Sequence, residues 1–167
     1  MLSVTRLVAP LLQTARTTRP NTLSVSRALP FRTMSSVTTH PSLTKVSTPN
    51  APAAIGPYSQ AIVAHPLVFI SGCLGFDPKT AQFVPGGVEE QAKQALQNLK
   101  AVVESSGSEV GKVVKTTVFL QSMDDFAAVN KIYEAFFGEH KPARSAVEVA
   151  RLPRDGLVEI EAIATLA

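Results

Sequence analysis

Tryptophan is absent from the 167 residues, tyrosine occurs twice, and cysteine occurs once. The lone Cys73 excludes an internal disulfide, so the chain is no disulfide-stapled scaffold. No run of 18 apolar residues free of charge or proline is present, which excludes an apolar membrane-spanning helix. The three histidines, His40, His65 and His140, are scattered, with no cysteine or carboxylate at metal-ligand spacing. There is no GxGxxG and no phosphate loop. Neither a metal nor a nucleotide cofactor is expected.

Charge is unevenly distributed. The chain carries 16 basic and 13 acidic residues, formally +3, yet its first acid is Asp77. Residues 1–40 hold Arg6, Arg16, Arg19, Arg27 and Arg32, no lysine and no acid, in a Ser- and Thr-rich setting. Leu2, Val4, Leu7, Val8, Leu11 and Leu12 surround Arg6. This is the composition of a mitochondrial transit peptide, expected to be disordered in water and removed in the matrix. Met34 offers an internal start for a cytosolic form. Residues 41–167 then form the domain, with 11 basic side chains against 13 acidic ones, a net −2. Phosphate backbones are held by clustered Lys and Arg, so general nucleic-acid binding is disfavoured.

Leu67 to Gly72 is β-branched and aromatic, and Phe83-Val84 reads as its return strand across the Asp77–Thr80 turn. Val88, Ala92, Ala95, Leu96, Leu99, Val102 and Val103 recur at helical spacing up to Ser105-Ser106-Gly107. Lys112 to Gln121 is strand-like. Asp124 or Asp125 is expected to cap a second helix whose inner stripe is Phe126, Val129, Asn130, Tyr133, Phe136 and Phe137, ending at Gly138. Strands over about 145–151 and 157–166 follow, joined through Leu152–Gly156. The pattern predicts an α+β domain, β-β-α-β-α-β-β, with two helices on one face of a sheet. The uncovered face, which Ile163 shares with Glu159 and Glu161, predicts self-association.

Several polar side chains sit where apolar ones are expected. Asn130 lies on the inner stripe of a helix. Arg144 opens a strand after Pro142, and its planar fork suits a carboxylate. Glu159 alternates with buried aliphatics and is suited to positioning water or relaying a proton. Tyr58 follows the rigid Ile55-Gly56-Pro57 turn, and Ser71 and Cys73 flank Gly72 at a strand end. No histidine stands near Cys73 to activate it, which makes it a lining residue. A hairpin of the last two strands would set Arg144 opposite Thr165 and Ala150 opposite Glu159, holding Arg144 and Glu159 some 20 Å apart. Another register, or neighbouring subunits, would be needed to bring them together.

Five blocks, APAAIGPYSQA (51–61), ISG followed by DP (70–78), GGVEEQAKQALQNLKAVVESSG (86–107), KTTVFLQSMDDFAAVNKIYEAFF (115–137) and PARSAVEVARLPRDGLVEIEAIA (142–164), resemble the Rid (YjgF) family. The likeness is greatest to its RidA branch and, with the leader, to fungal mitochondrial members. The resemblance implies a chorismate-mutase-like homotrimer with three clefts between subunits. It implies cofactor-free hydrolysis of 2-iminobutanoate and 2-iminopropanoate to 2-oxo acids and ammonia, protecting pyridoxal-phosphate enzymes. It implies that Arg144 clamps the substrate carboxylate with help from the Ala146 main chain, that Glu159 holds the attacking water, and that Tyr58, Gly72 and Asn130 line the pocket. Three positions depart from the family pattern: Ala146, often cysteine; Cys73, often glutamine; and Lys141, usually aromatic. The same family has also been linked to RNA cleavage, translation inhibition and chaperone-like binding, which is the alternative reading.

Overall fold

The computed structural model describes residues 37–167. The leader assigned to residues 1–40 lies, but for its last four residues, outside them, as does Met34. Strands β1 (Thr44–Val46), β2 (Ala61–Ala64), β3 (Leu67–Leu74), β4 (Val113–Leu120), β5 (Ala143–Glu148) and β6 (Val158–Thr165) make one sheet in the order β1-β2-β3-β6-β4-β5. Helices α1 (Gly87–Ser105) and α2 (Phe126–Phe137) pack on it, giving the expected α+β architecture.

The side-chain period of each element decides which face it buries. In β6, Val158, Ile160, Ala162 and Ala164 are buried, and the residues between them face away from the helices. In α1 the stripe Ala92, Ala95, Leu96, Leu99, Val102 and Val103 is buried at the spacing read from the sequence. Each large aliphatic hidden this way contributes about 1.5–3 kcal/mol. On the other face Phe69, opposite Ile163, and Val147, opposite Phe119, remain 44% and 43% exposed. That is the bare apolar face the strand pattern predicted.

Three local expectations are corrected. Phe83 makes only an isolated bridge to Phe76, and the partner of β3 is β2, where Ala61 meets Ile70 and Ala64 meets Leu67. The last two strands form no hairpin: β5 runs parallel to β4 after the α2 crossover, and β6 inserts between β3 and β4. A 3-10 turn over Pro153–Asp155 redirects the chain between them. Finally, neither Asp124 nor Asp125 caps α2 through its side chain; Ser122 Oγ accepts from Asp124 N and starts the preceding turn at Met123–Asp125. Gly138, at φ 58°, ends α2 as expected.

Candidate functional site

The first candidate cavity starts from a β-bulge. Between the Ile70–Ala162 and Cys73–Ile160 pairs, β3 spends two residues, Ser71 and Gly72, where β6 spends only Glu161. The extra residue returns Cys73 to the core side and leaves Gly72 beneath the Glu159 side chain. A Cβ on Gly72 would lie 2.6 Å from Glu159 Cδ and would overlap its Oε1. Any larger residue here would displace the carboxylate lying across it.

The loop before β2 forms the opposite wall. Buried Gln60 secures it, accepting from Thr48 N at 2.6 Å and donating to the carbonyls of Thr48, Ala51 and Pro52. Ser71 Oγ donates to the Ser59 carbonyl at 2.7 Å. The cavity enclosed is about 400 Å³ and is lined by Tyr58, Ser71, Gly72, Cys73 and Glu159 together with apolar residues of the loop. Burial, and then the Glu161 charge, raise Glu159 above the usual carboxylate range. Among the described residues it has no ion-pair partner. Burial and the Glu159 charge push the Cys73 thiol up to about 12, and it donates to the Ser71 carbonyl at 3.5 Å. A thiol held protonated is a poor nucleophile, in agreement with a lining role.

A second cleft, about 410 Å³, opens beside α2 and β5 and is lined by Asn130, Tyr133, His140, Pro142 and Arg144 among others. Arg144 pairs with Thr116 on the helix side of the sheet, where Thr116 and Tyr133 hydroxyls bond at 2.7 Å. The guanidinium lies 4.5 Å from the Tyr133 ring centroid and 5.7 Å from that of Phe126. Stacked in this way, it forms no ion pair among the described residues. Asn130 stands half-buried at the rim rather than within the buried stripe of Val129, Tyr133 and Phe137. Burial, opposed by the Thr116 hydrogen bond and the Arg144 charge, raises Tyr133 above the ordinary phenol.

The sequence-derived candidates thus divide into two groups. Tyr58, Ser71, Gly72, Cys73 and Glu159 share the first cavity, and Asn130 and Arg144 share the second. Ala146 packs half-buried against the core opposite Val118 and lines neither. The ladder places Arg144 opposite Thr116 and Glu159 opposite Phe119, on opposite faces and roughly 14 Å apart between Cα atoms. The hairpin register is therefore replaced, and one protomer still does not join the two groups.

Sequence reasoning missed three polar residues. Gln60, Gln91 and Asn98 are buried, and each ties loop or strand-end backbone. Asn98 Nδ2 donates to the carbonyls of Leu74 and Phe76, and Gln91 Oε1 accepts from Leu157 N. Gln91 and Asn98 interrupt the apolar period of α1, and that interruption is the signal that marks them. Among the described residues, no three His, Cys, Asp or Glu side chains converge to hold a metal, and no helix is long and apolar enough to cross a membrane.

Comparison with known proteins follows the same outline. Mouse 2-iminobutanoate/2-iminopropanoate deaminase is 55% identical over 119 residues, covering 71% of this chain and 88% of that one. The structure of the Escherichia coli YjgF gene product superposes with a TM-score of 0.71 at 51% identity, over 74% of this chain and 99% of that one. E. coli TdcF with bound serine superposes at 0.71 and 44% identity, over 74% and 99% of the two chains. The family described as Endoribonuclease L-PSP matches residues 48–166, from the loop that walls the first cavity through the whole of β6. With its bulged Gly72, its Glu159 and the parallel β5 that carries Arg144, this chain belongs to that family, the Rid (YjgF) group its motifs resemble.

Proposed function

We propose that the chain hydrolyses 2-imino acids, such as 2-iminobutanoate and 2-iminopropanoate, and that its active site is assembled between protomers of a homotrimer. The observation that carries the reading is the division of the candidate residues: a free guanidinium in one cleft and an unpaired, half-buried carboxylate in another. The bare sheet face bearing Phe69 and Val147 supports association, since such a patch is normally covered. Tyr58 and Ile55, 51% and 69% exposed, project from the loop beside Glu159 and would be covered by the same contact. The deaminase names of relatives such as the mouse protein, and the serine bound by E. coli TdcF, support a small carboxylate ligand.

The chemistry asks little of the protein. A protonated imine is already an electrophile, so orientation and proton transfer supply most of what remains. Arg144 holds the carboxylate bidentately, the Ala146 main chain adds a contact, and Tyr58, Gly72 and Asn130 shape the pocket. Glu159 takes a proton from water as its oxygen adds to the C=N carbon. It then passes that proton to the nitrogen of the tetrahedral adduct and takes the adduct's hydroxyl proton as ammonia leaves and the carbonyl forms. Desolvation suits Glu159 to both steps, because a carboxyl with a raised pKa gives up its proton less readily to bulk water. No cofactor is required by this balance. The leader composition supports delivery to the mitochondrial matrix, and Met34 a cytosolic form.

The family description names an RNA-cleaving activity, but 11 basic against 13 acidic residues in 41–167 give a phosphate backbone little to hold. The test couples a threonine dehydratase to the purified protein and follows imine decay. Arg144→Ala and Glu159→Gln proteins should each be inactive, whereas mixed assemblies of the two should regain activity, because some clefts then receive both intact residues. No recovery from demonstrably mixed assemblies would overturn the shared site. Equal decay with and without wild-type protein would overturn the deaminase reading.

A further inference from the structure

The cavity beside Glu159 is larger than its smallest proposed substrate requires. At about 400 Å³ it lies within the range of roughly 300–1,000 Å³ that holds drug-sized ligands. A three-carbon imino acid and its water, at roughly 30 Å³ per water, leave most of it empty. Its polar lining residues are already engaged. Gln60 is spent on the Thr48–Pro52 backbone, Ser71 on Ser59, Asn98 on Leu74 and Phe76, and Cys73 on Ser71. What faces a ligand is therefore Tyr58, Glu159 and apolar wall, chiefly Ile55, Leu74, Phe76 and Pro78.

One end of the cavity is bordered by an ordered latch. Arg154 stacks 4.8 Å from the Phe76 ring centroid and donates to the Ala81 carbonyl at 3.1 Å. Phe76 stacks in turn on Phe83 at 4.0 Å. Ala81, Arg154 and Asp155, at φ 54°, 54° and 61°, are the only non-glycine residues with positive φ among the described residues. Ala81 and Arg154 belong to this latch, and Asp155 follows it in the chain, its carboxylate paired with Arg151. Such backbone persists only where its surroundings hold it, and it collects at ligand clamps.

We propose that this cavity is the substrate side-chain subsite, that it favours 2-imino acids with branched aliphatic side chains of leucine length, and that Arg154 closes its end and limits that length. The inference rests on the deaminase reading and names the substrate class of the same site. A fitted apolar pocket discriminates by roughly tenfold or more per methylene. Imino acids are generated in place from alanine, leucine, phenylalanine and glutamate by an amino-acid oxidase, and kcat/KM is measured for each. The leucine-derived imine is expected to exceed the alanine-derived one at least tenfold. Leu74→Trp, which fills the cavity, should reduce that ratio at least tenfold, and Arg154→Ala should raise the phenylalanine-to-leucine ratio at least fivefold.

Inhibition of the alanine-derived reaction by 2-oxo acids repeats the test on unaltered protein. The inhibition constant should fall at least tenfold from pyruvate to 4-methyl-2-oxopentanoate. Equal constants, an unaltered ratio in Leu74→Trp, or a glutamate-derived imine that outruns the leucine-derived one would overturn the subsite. An unaltered phenylalanine-to-leucine ratio in Arg154→Ala would overturn the latch. Protein that accelerates the alanine-derived imine without preference for length loses only the subsite; protein that accelerates none loses the deaminase reading as well.

Discussion

Gly72→Ala is the smallest change that tests the candidate site. The added methyl would lie 2.6 Å from Glu159 Cδ and 2.9 Å from Cγ, whereas ordinary contact begins at 3.4 Å. The carboxyl group must retreat by roughly 1 Å, a displacement that can cost about a hundredfold in rate when the moved group positions a reactant. Overpacking costs about 1–3 kcal/mol in a closed core, and here the yielding atoms are the free end of a side chain, so about 1 kcal/mol is expected. Activity should thus fall about a hundredfold while the melting temperature drops by only about 2–6 °C. Gly111→Ala, where a new Cβ meets nothing within 4 Å, is the control and should match wild type in both measurements. Glu159→Asp shortens the acid by one methylene. The Gly72→Ala, Glu159→Asp double variant should therefore lose less than the two single losses combined. Wild-type kcat/KM in Gly72→Ala, measured by imine decay, would refute the role given to Glu159.

Other outcomes follow from the same geometry. Glu159 is raised by burial and by Glu161, so between its unfolded and folded pKa values the native state carries the extra proton and stability falls as pH rises. Glu159→Gln is accordingly expected to raise the melting temperature above that window and not below it, even as activity is lost; melting curves across pH decide. Glu161→Gln removes a charge that raises Glu159, so the acid limb of the kcat/KM profile should move to lower pH. Arg144→Lys replaces a bidentate fork by a point charge. Loss of one charge-assisted hydrogen bond, about 1.5–3 kcal/mol, should lower kcat/KM roughly ten- to a hundredfold in steady-state assays. Thr116→Val strands the Tyr133 hydroxyl and should cost about 1–3 kcal/mol in denaturant unfolding.

Both helices and the strands β3, β4 and β6 were legible because their apolar period runs long enough to be unambiguous. β1 is three residues and β2 is four, too short for a side-chain period to be read although each holds two β-branched residues; only their neighbours define them. Phe83-Val84 was misread because Phe83 is apolar for a different reason, stacking on Phe76. The Leu152–Gly156 turn resembles a hairpin connection, yet pairing depends on partners distant in the chain, and β4 offered β5 a parallel edge that local pattern cannot display. Arg144, Asn130 and Glu159 were visible as polar residues out of phase with their elements. Their placement on opposite faces was not, since the face each occupies follows from the register of β4 with both its neighbours.

The position of β6 has a consequence for synthesis. Among the strands it is the one furthest along the chain, yet it lies at the middle of the sheet, and β3 and β4 meet only through it. A nascent polypeptide leaving the ribosome therefore holds two unjoined half-sheets until residues 158–165 emerge. The segment that sutures them also delivers Glu159, so a truncated product has neither a finished scaffold nor its acid.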